Sequence, residues 1–151
     1  MSMTSSSEAH AGGAEAGQGL IVAGVDGSDS SMAALRWAAR QAQLTAARLH
    51  VIEAWSTMNM ALMTPHIDFE AEARETLEHT VDDIRKEFPD VSVTGAALFG
   101  PPSRVLVDAT GDADLLVVGS QGRGAFTGML LGSVSQHCVQ QANCPVVVVR
   151  G

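Results

Sequence analysis

Apolar runs and amphipathic stretches alternate along the chain. Leu20-Ile21-Val22-Ala23-Gly24-Val25 is apolar throughout, with no polar residue at every second place, which is the pattern of a strand covered on both faces. It stops at Asp26-Gly27-Ser28, and Ser28, Asp29 and Ser30 are all residues that cap helices well. Met32, Leu35, Trp37 and Ala39, set among further alanines, then predict a helix reaching about Ala46. Residues 48–55 predict a second strand, and the Met-rich stretch 56–66 a loop. Phe69, Ala73, Leu77, Thr80, Ile84 and Phe88 recur at helical spacing until Pro89-Asp90 ends the pattern. A third strand is expected over 91–99, and a helix over 103–110 behind Pro101-Pro102, where proline suits a first turn. A fourth strand of the buried type covers 115–119, followed by a Gly-rich loop and a helix over 133–142. The fifth strand opens at Pro145 and closes at Arg150.

Strands alternating with helices imply an α/β fold, a doubly wound parallel sheet with right-handed crossovers and helices on both faces. The expected five-stranded order is 3-2-1-4-5, which reverses between the first and fourth strands. Ligands of such sheets bind at the carboxyl ends of the strands where the order reverses. Here those ends are Asp26-Gly27-Ser28 and Gly119-Ser120-Gln121-Gly122.

Composition narrows this picture. A chain of 151 residues suits one domain, expected over 20–151 behind a disordered tail of residues 1–19. The tail lacks the basic start and apolar middle of a secretory signal, and the apolar runs are too short to cross a bilayer. No membrane partner is expected. Cys138 and Cys144 make no disulfide framework, which points to a cytoplasmic protein. With 17 acidic and 9 basic side chains the net charge is −8, and the basic residues are scattered, so nucleic acid is excluded as a partner. A small nucleotide is still permitted, because backbone amides and a divalent cation can meet its charge locally.

The stretch 119–135 carries the candidate chemistry. Glycine permits positive φ and removes the side chain that would keep a phosphate from backbone N–H groups, and Gly119 and Gly122 meet that need. Gly132-Ser133 opens a helix whose amides and positive dipole end favour an anion, with the Ser133 and Ser135 hydroxyls as added donors or metal contacts. On residue types alone an alternative stands beside this: the glycines turn the chain, and Ser133 caps the helix with Gln136 closing a capping box. The spacing fits neither a Rossmann fingerprint nor a P-loop. Asp26 is open between contact with a base or sugar, a Mg²⁺ ligand and an Asx turn.

Gly119, two residues, Gly122, nine residues, Gly132 and then Ser133 resemble the G-2x-G-9x-G-[ST] motif of the ATP-binding branch of the universal stress protein family. Val25-Asp26-Gly27-Ser28, His50-Val51, Gly100-Pro101-Pro102 and Cys144-Pro145 are similar to that family as well, while Gly124 and the Met-rich loop depart from its pattern. The resemblance implies an adenine nucleotide alpha hydrolase-like fold that binds ATP with Mg²⁺. It would place Asp26 and Val51 beside adenine and ribose, with backbone from Gly24 and Val25. Gly119, Gly122, Arg123, Gly132, Ser133, Val134 and Ser135 would hold ribose and phosphates. It also implies a homodimer paired through the last strand, and a row of four valines at a sheet edge independently calls for cover.

Other side chains have plainer readings. His50, His66, His79 and His137 are too scattered for a zinc site, and Cys138 reads as a small core residue. Met58, Met60 and Met63 suit a lid or an ordinary loop filling. Arg123 is the only basic residue near the loop and no Lys accompanies it, so a nucleotide-responsive regulator with slow or no ATP hydrolysis is expected. A nucleotide hydrolase and an interaction protein that ignores nucleotide are the alternatives.

Overall fold

The computed structural model describes residues 18–57, 68–122 and 131–151. Its elements run β1 (Leu20–Val25), α1 (Asp29–Thr45), β2 (Arg48–Trp55), α2 (Phe69–Glu87), β3 (Val93–Phe99) and α3 (Pro102–Ala109). A single 3₁₀ turn (Thr110–Asp112), β4 (Leu115–Gly119), α4 (Ser133–Gln141) and β5 (Val146–Val149) complete the chain. The five strands form one sheet in the order β3-β2-β1-β4-β5, parallel throughout. The order expected from the sequence is the observed one. β3 begins two residues later than expected because the Val91 amide donates to the Phe88 carbonyl and extends the turn after α2. The tail through residue 17, most of the Met-rich loop and the loop over 123–130 lie outside the described residues.

Alternation of side chains across the pleat sorts the strands onto two faces. On one face Ile21, Ala23, Val25, Leu49, Val51 and Val117 are buried beneath α1 and α2. On the other, Val22, Ile52, Leu116 and Val118 pack with Leu106 of α3 and Cys138 of α4. Ala34, Ala38 and Ala42 recur every fourth residue along α1 and are buried with Leu35 and Ala39, so small side chains let this helix lie close to the sheet. Ser28 caps α1 by accepting from the Ser31 amide at 3.2 Å. At its far end Ala46 takes a left-handed conformation, φ 57°, and its amide returns to the Ala42 carbonyl.

Asp68 caps α2 by accepting from the Ala71 amide at 3.0 Å. α3 opens at Pro102, the residue type suited to a first turn, and is followed by the 3₁₀ turn that leads into β4. No helix of the described residues is long and apolar enough to cross a membrane.

Candidate functional site

Where the strand order reverses, a cleft of about 470 Å³ lies over the carboxyl ends of β1, β2 and β4, within the size range of small-molecule sites. Each wall follows from local chemistry.

At the end of β1, a Cβ built on Gly24 would meet Leu106 Cδ1 at 2.7 Å. Glycine there lets the α3 side chain lie directly on the strand, and both residues line the cleft. Asp26 forms an Asx turn, its Oδ1 accepting from the Ser28 amide at 2.9 Å, while Gly27 takes φ 84° to complete the bend. The Asp26 amide donates to Ser31 Oγ at 3.2 Å. Of the three roles left open for Asp26, the turn is formed, and the carboxylate also lines the cleft.

The glycines after β4 serve approach rather than left-handed backbone. Neither Gly119, Gly122 nor Gly132 has a positive φ, which corrects the conformational half of the expectation. A Cβ on Gly119 would come within 2.6 Å of the Ser30 carbonyl carbon, and one on Gly122 within 2.6 Å of Asp26 Oδ2. These two glycines thus fit the loop against α1 and against the Asp26 carboxylate. Gly132 differs: a Cβ there would find its nearest neighbours at 3.4 Å, an ordinary contact. Packing among the described residues does not demand glycine at this position.

Gly132 is the N-cap of α4, at φ −72° and ψ 169°, and among the described residues no side chain caps this helix. The alternative, in which Ser133 caps the helix and Gln136 closes a capping box, is not built, because Ser133 is already the first helical residue. The first-turn amides of Ser133, Val134 and Ser135, with the positive end of the helix dipole, therefore meet the cleft without a capping oxygen. The Ser135 hydroxyl is buried and bonds to the Ser120 and Gly132 carbonyls, both at 3.1 Å. Its proton therefore serves the loop.

Gly24, Val25, Asp26, Gly119, Gly122, Gly132, Ser133, Val134 and Ser135 all line the cleft. Val51 does not. Pleat parity turns its side chain into the closed core beneath α1 and α2, and Ile52, Glu53 and Ala54 border the cleft instead. Arg123 lies outside the described residues. Sequence reasoning missed Pro102, Leu106 and Val118, which form an apolar wall, and the polar Ser31 and Gln121. Gly24 inside an otherwise buried strand was the available signal for the close approach of Leu106.

Cys138 is fully buried, and burial pushes its thiol pKa up to about 11, so it is no nucleophile. Among the described residues no group of three His, Cys, Asp or Glu is placed to hold a metal.

The universal stress protein family matches residues 19–150. The chain belongs to that family. Universal stress protein Rv2005c of Mycobacterium tuberculosis is 38% identical over 133 residues, covering 86% of this chain and 45% of the relative. The chain thus spans less than half the length of the curated relatives it matches. A universal stress protein solved in complex with cAMP superposes with a TM-score of 0.69 at 26% identity, covering 87% of this chain and 96% of the other. The universal stress protein of Archaeoglobus fulgidus in complex with dAMP does so with a TM-score of 0.63 at 27% identity, covering 87% and 97%. These neighbours have the adenine nucleotide alpha hydrolase-like fold expected from the sequence.

Proposed function

We propose that this universal stress protein domain binds ATP in the cleft over β1 and β4 and acts as a nucleotide-responsive regulator of stress or dormancy physiology, hydrolysing ATP slowly or not at all. The observation that carries the reading is the uncapped start of α4 at Gly132, where none of the described residues requires glycine and a phosphate could approach the backbone. In the same cleft, Pro102, Leu106 and Ile52 offer an apolar wall to a base. Gly119, Gly122, Ser133, Val134 and Ser135 would surround ribose and phosphates, Asp26 would meet a sugar hydroxyl or the base edge, and Arg123 would add charge from its loop. The cAMP and dAMP complexes of two relatives support an adenine nucleotide. Mg²⁺ would arrive on the phosphates, with Asp26 and Ser133 as oxygen donors, since the described residues hold no ready-made cage.

A second copy of the chain is the proposed partner, and the cytoplasm the proposed location. Among the described residues β5 pairs with β4 alone, its four valines are only partly buried, and Val139 of α4 beside it is 51% exposed. Antiparallel pairing of two such edges would cover them.

The test is to denature the purified protein, identify any released nucleotide by mass spectrometry, and titrate ATP with Mg²⁺ into wild type and Gly132→Asp. A carboxylate at the helix start should weaken binding by about a hundredfold. Equal heats for the two proteins would sink the site. Phosphate release abolished by Asp26→Ala while binding persists would favour a hydrolase. Failure to bind any adenine nucleotide would favour the interaction protein.

A further inference from the structure

The cleft and the β5 edge share one small hydrogen-bonded junction. Ser120 is buried, its amide donates to the Val149 carbonyl at 2.8 Å, and its own carbonyl accepts from the Gly132 amide at 2.6 Å and from Ser135 Oγ at 3.1 Å. One residue thereby ties the last position of β5 to the first turn of α4. Ser30, at the start of α1, makes a second tie: its hydroxyl donates to the same Val149 carbonyl at 3.3 Å and accepts from the Gln121 amide at 3.4 Å. Gly119 keeps this junction closed, since a Cβ there would stand 2.4 Å from Ser30 Oγ. Val149 ends a strand whose bonds to β4 begin with the Pro145 carbonyl and close with its own. Alternation along a strand then leaves the main-chain groups of Val146 and Val148 pointing away from β4.

We propose that occupancy of the cleft and pairing of the β5 edge with a second copy of this chain are coupled through Ser120 and Ser30, a proposal that rests on the nucleotide-binding reading above. A phosphate on the first-turn amides of α4 holds Gly132 and Ser135 in place, and with them the Ser120 carbonyl. Ser120 then holds the Val149 carbonyl, so that the end of β5 is ordered before a second copy docks. Pairing costs less ordering entropy in that state. Reciprocity follows: pairing must raise nucleotide affinity by the factor by which nucleotide tightens pairing.

Sedimentation equilibrium of the full chain, with and without saturating MgATP and separately with cyclic AMP, reads the coupling. At least one of the two nucleotides is expected to lower the dimer dissociation constant by about fivefold or more. Ser30→Ala should keep nucleotide affinity within about threefold of wild type, yet cut that gain to about twofold or less. Should the variant fail to fold, amide hydrogen exchange of the unmodified protein decides. Nucleotide should slow exchange at Ser120 and Gly132 and leave the β3 amides, at the opposite edge, unchanged.

Nucleotide that binds by calorimetry but alters neither the dimer constant nor Ser120 exchange overturns the coupling and leaves the nucleotide reading intact. A chain that stays monomeric with nucleotide bound overturns it as well. If neither nucleotide binds, the parent reading falls and the coupling with it.

Discussion

The two faces of the sheet are built differently. One is closed by α1 and α2, of 17 and 19 residues, and exposure falls to zero at Leu35 of α1 and at Leu49 and Val51 of β2 beneath it. The other carries α3 and α4, of 8 and 9 residues, which are too short to cover the strand ends and leave the cleft at the reversal of strand order. Midway along β2 the parity of a residue decides whether it serves the fold or the site, whereas at the strand ends residues of both parities, Gly24 and Val25 among them, reach the cleft. Val51 and Ile52 are neighbours in sequence, yet one is core and the other borders the cleft.

Leu35→Ala tests the closed face and should have the largest effect. Leu35 is fully buried, so the truncation should cost about 2–5 kcal/mol of unfolding free energy in urea. Nucleotide affinity of the folded fraction should be unchanged, and a parallel loss of affinity would break the division of labour between the faces. Gly24→Val is the counterpart on the open face. Its branched side chain must displace Leu106, whose nearest methyl would stand 2.7 Å from the new Cβ. The overpacking should cost about 1–3 kcal/mol, and the narrower cleft should weaken nucleotide binding beyond what the stability loss explains. Wild-type affinity in Gly24→Val would remove the α3 wall from the site.

How much of this could be read in the sequence follows from the same contrast. The continuous apolar strands, the helix caps and the reversal of strand order are local or topological signals, and they located the cleft between Asp26 and Gly119. The spacing of Gly119, Gly122 and Gly132 pointed to the loop but not to the separate reasons for each glycine. Ser30, Asp26 and the space beside Gly132 supply those reasons, and the β1–α1 junction that carries the first two meets the β4–α4 connection only on folding. Leu106 was invisible for a similar reason: an eight-residue helix has no long periodic stripe, and the face it turns to the sheet is set by packing. Val51 was assigned by its place after His50, whereas the pleat sets the direction of its side chain.

Ala46 offers a smaller test on the closed face. It ends α1 in a left-handed conformation that carries a steric cost for any residue with a Cβ. Ala46→Gly should therefore raise unfolding free energy by about 1 kcal/mol, with the gain read from the urea midpoint at constant slope. A loss of stability would mean that the unfolded-state entropy of glycine outweighs the relieved strain.

The smallest effect concerns His50, on the strand positions that share the open face but lie away from the cleft. Its ring is partly buried, with Nδ1 2.7 Å from Thr94 Oγ1. Burial, and then the neighbouring Arg48 guanidinium, lower its pKa from the ordinary 6.5. The unfolded chain therefore binds a proton more readily than the folded one. The stability linked to this group is fully present above pH 6.5 and is lost as pH falls through the lowered folded value. His50→Gln retains a polar group for Thr94 and removes the titration, so its unfolding free energy should fall less than that of wild type between pH 7.5 and pH 5.5. Carboxylates elsewhere contribute alike to both proteins, and the difference between the two slopes isolates the imidazole. Identical slopes would show that His50 titrates the same way folded and unfolded, and that the open face costs this side chain nothing in charging.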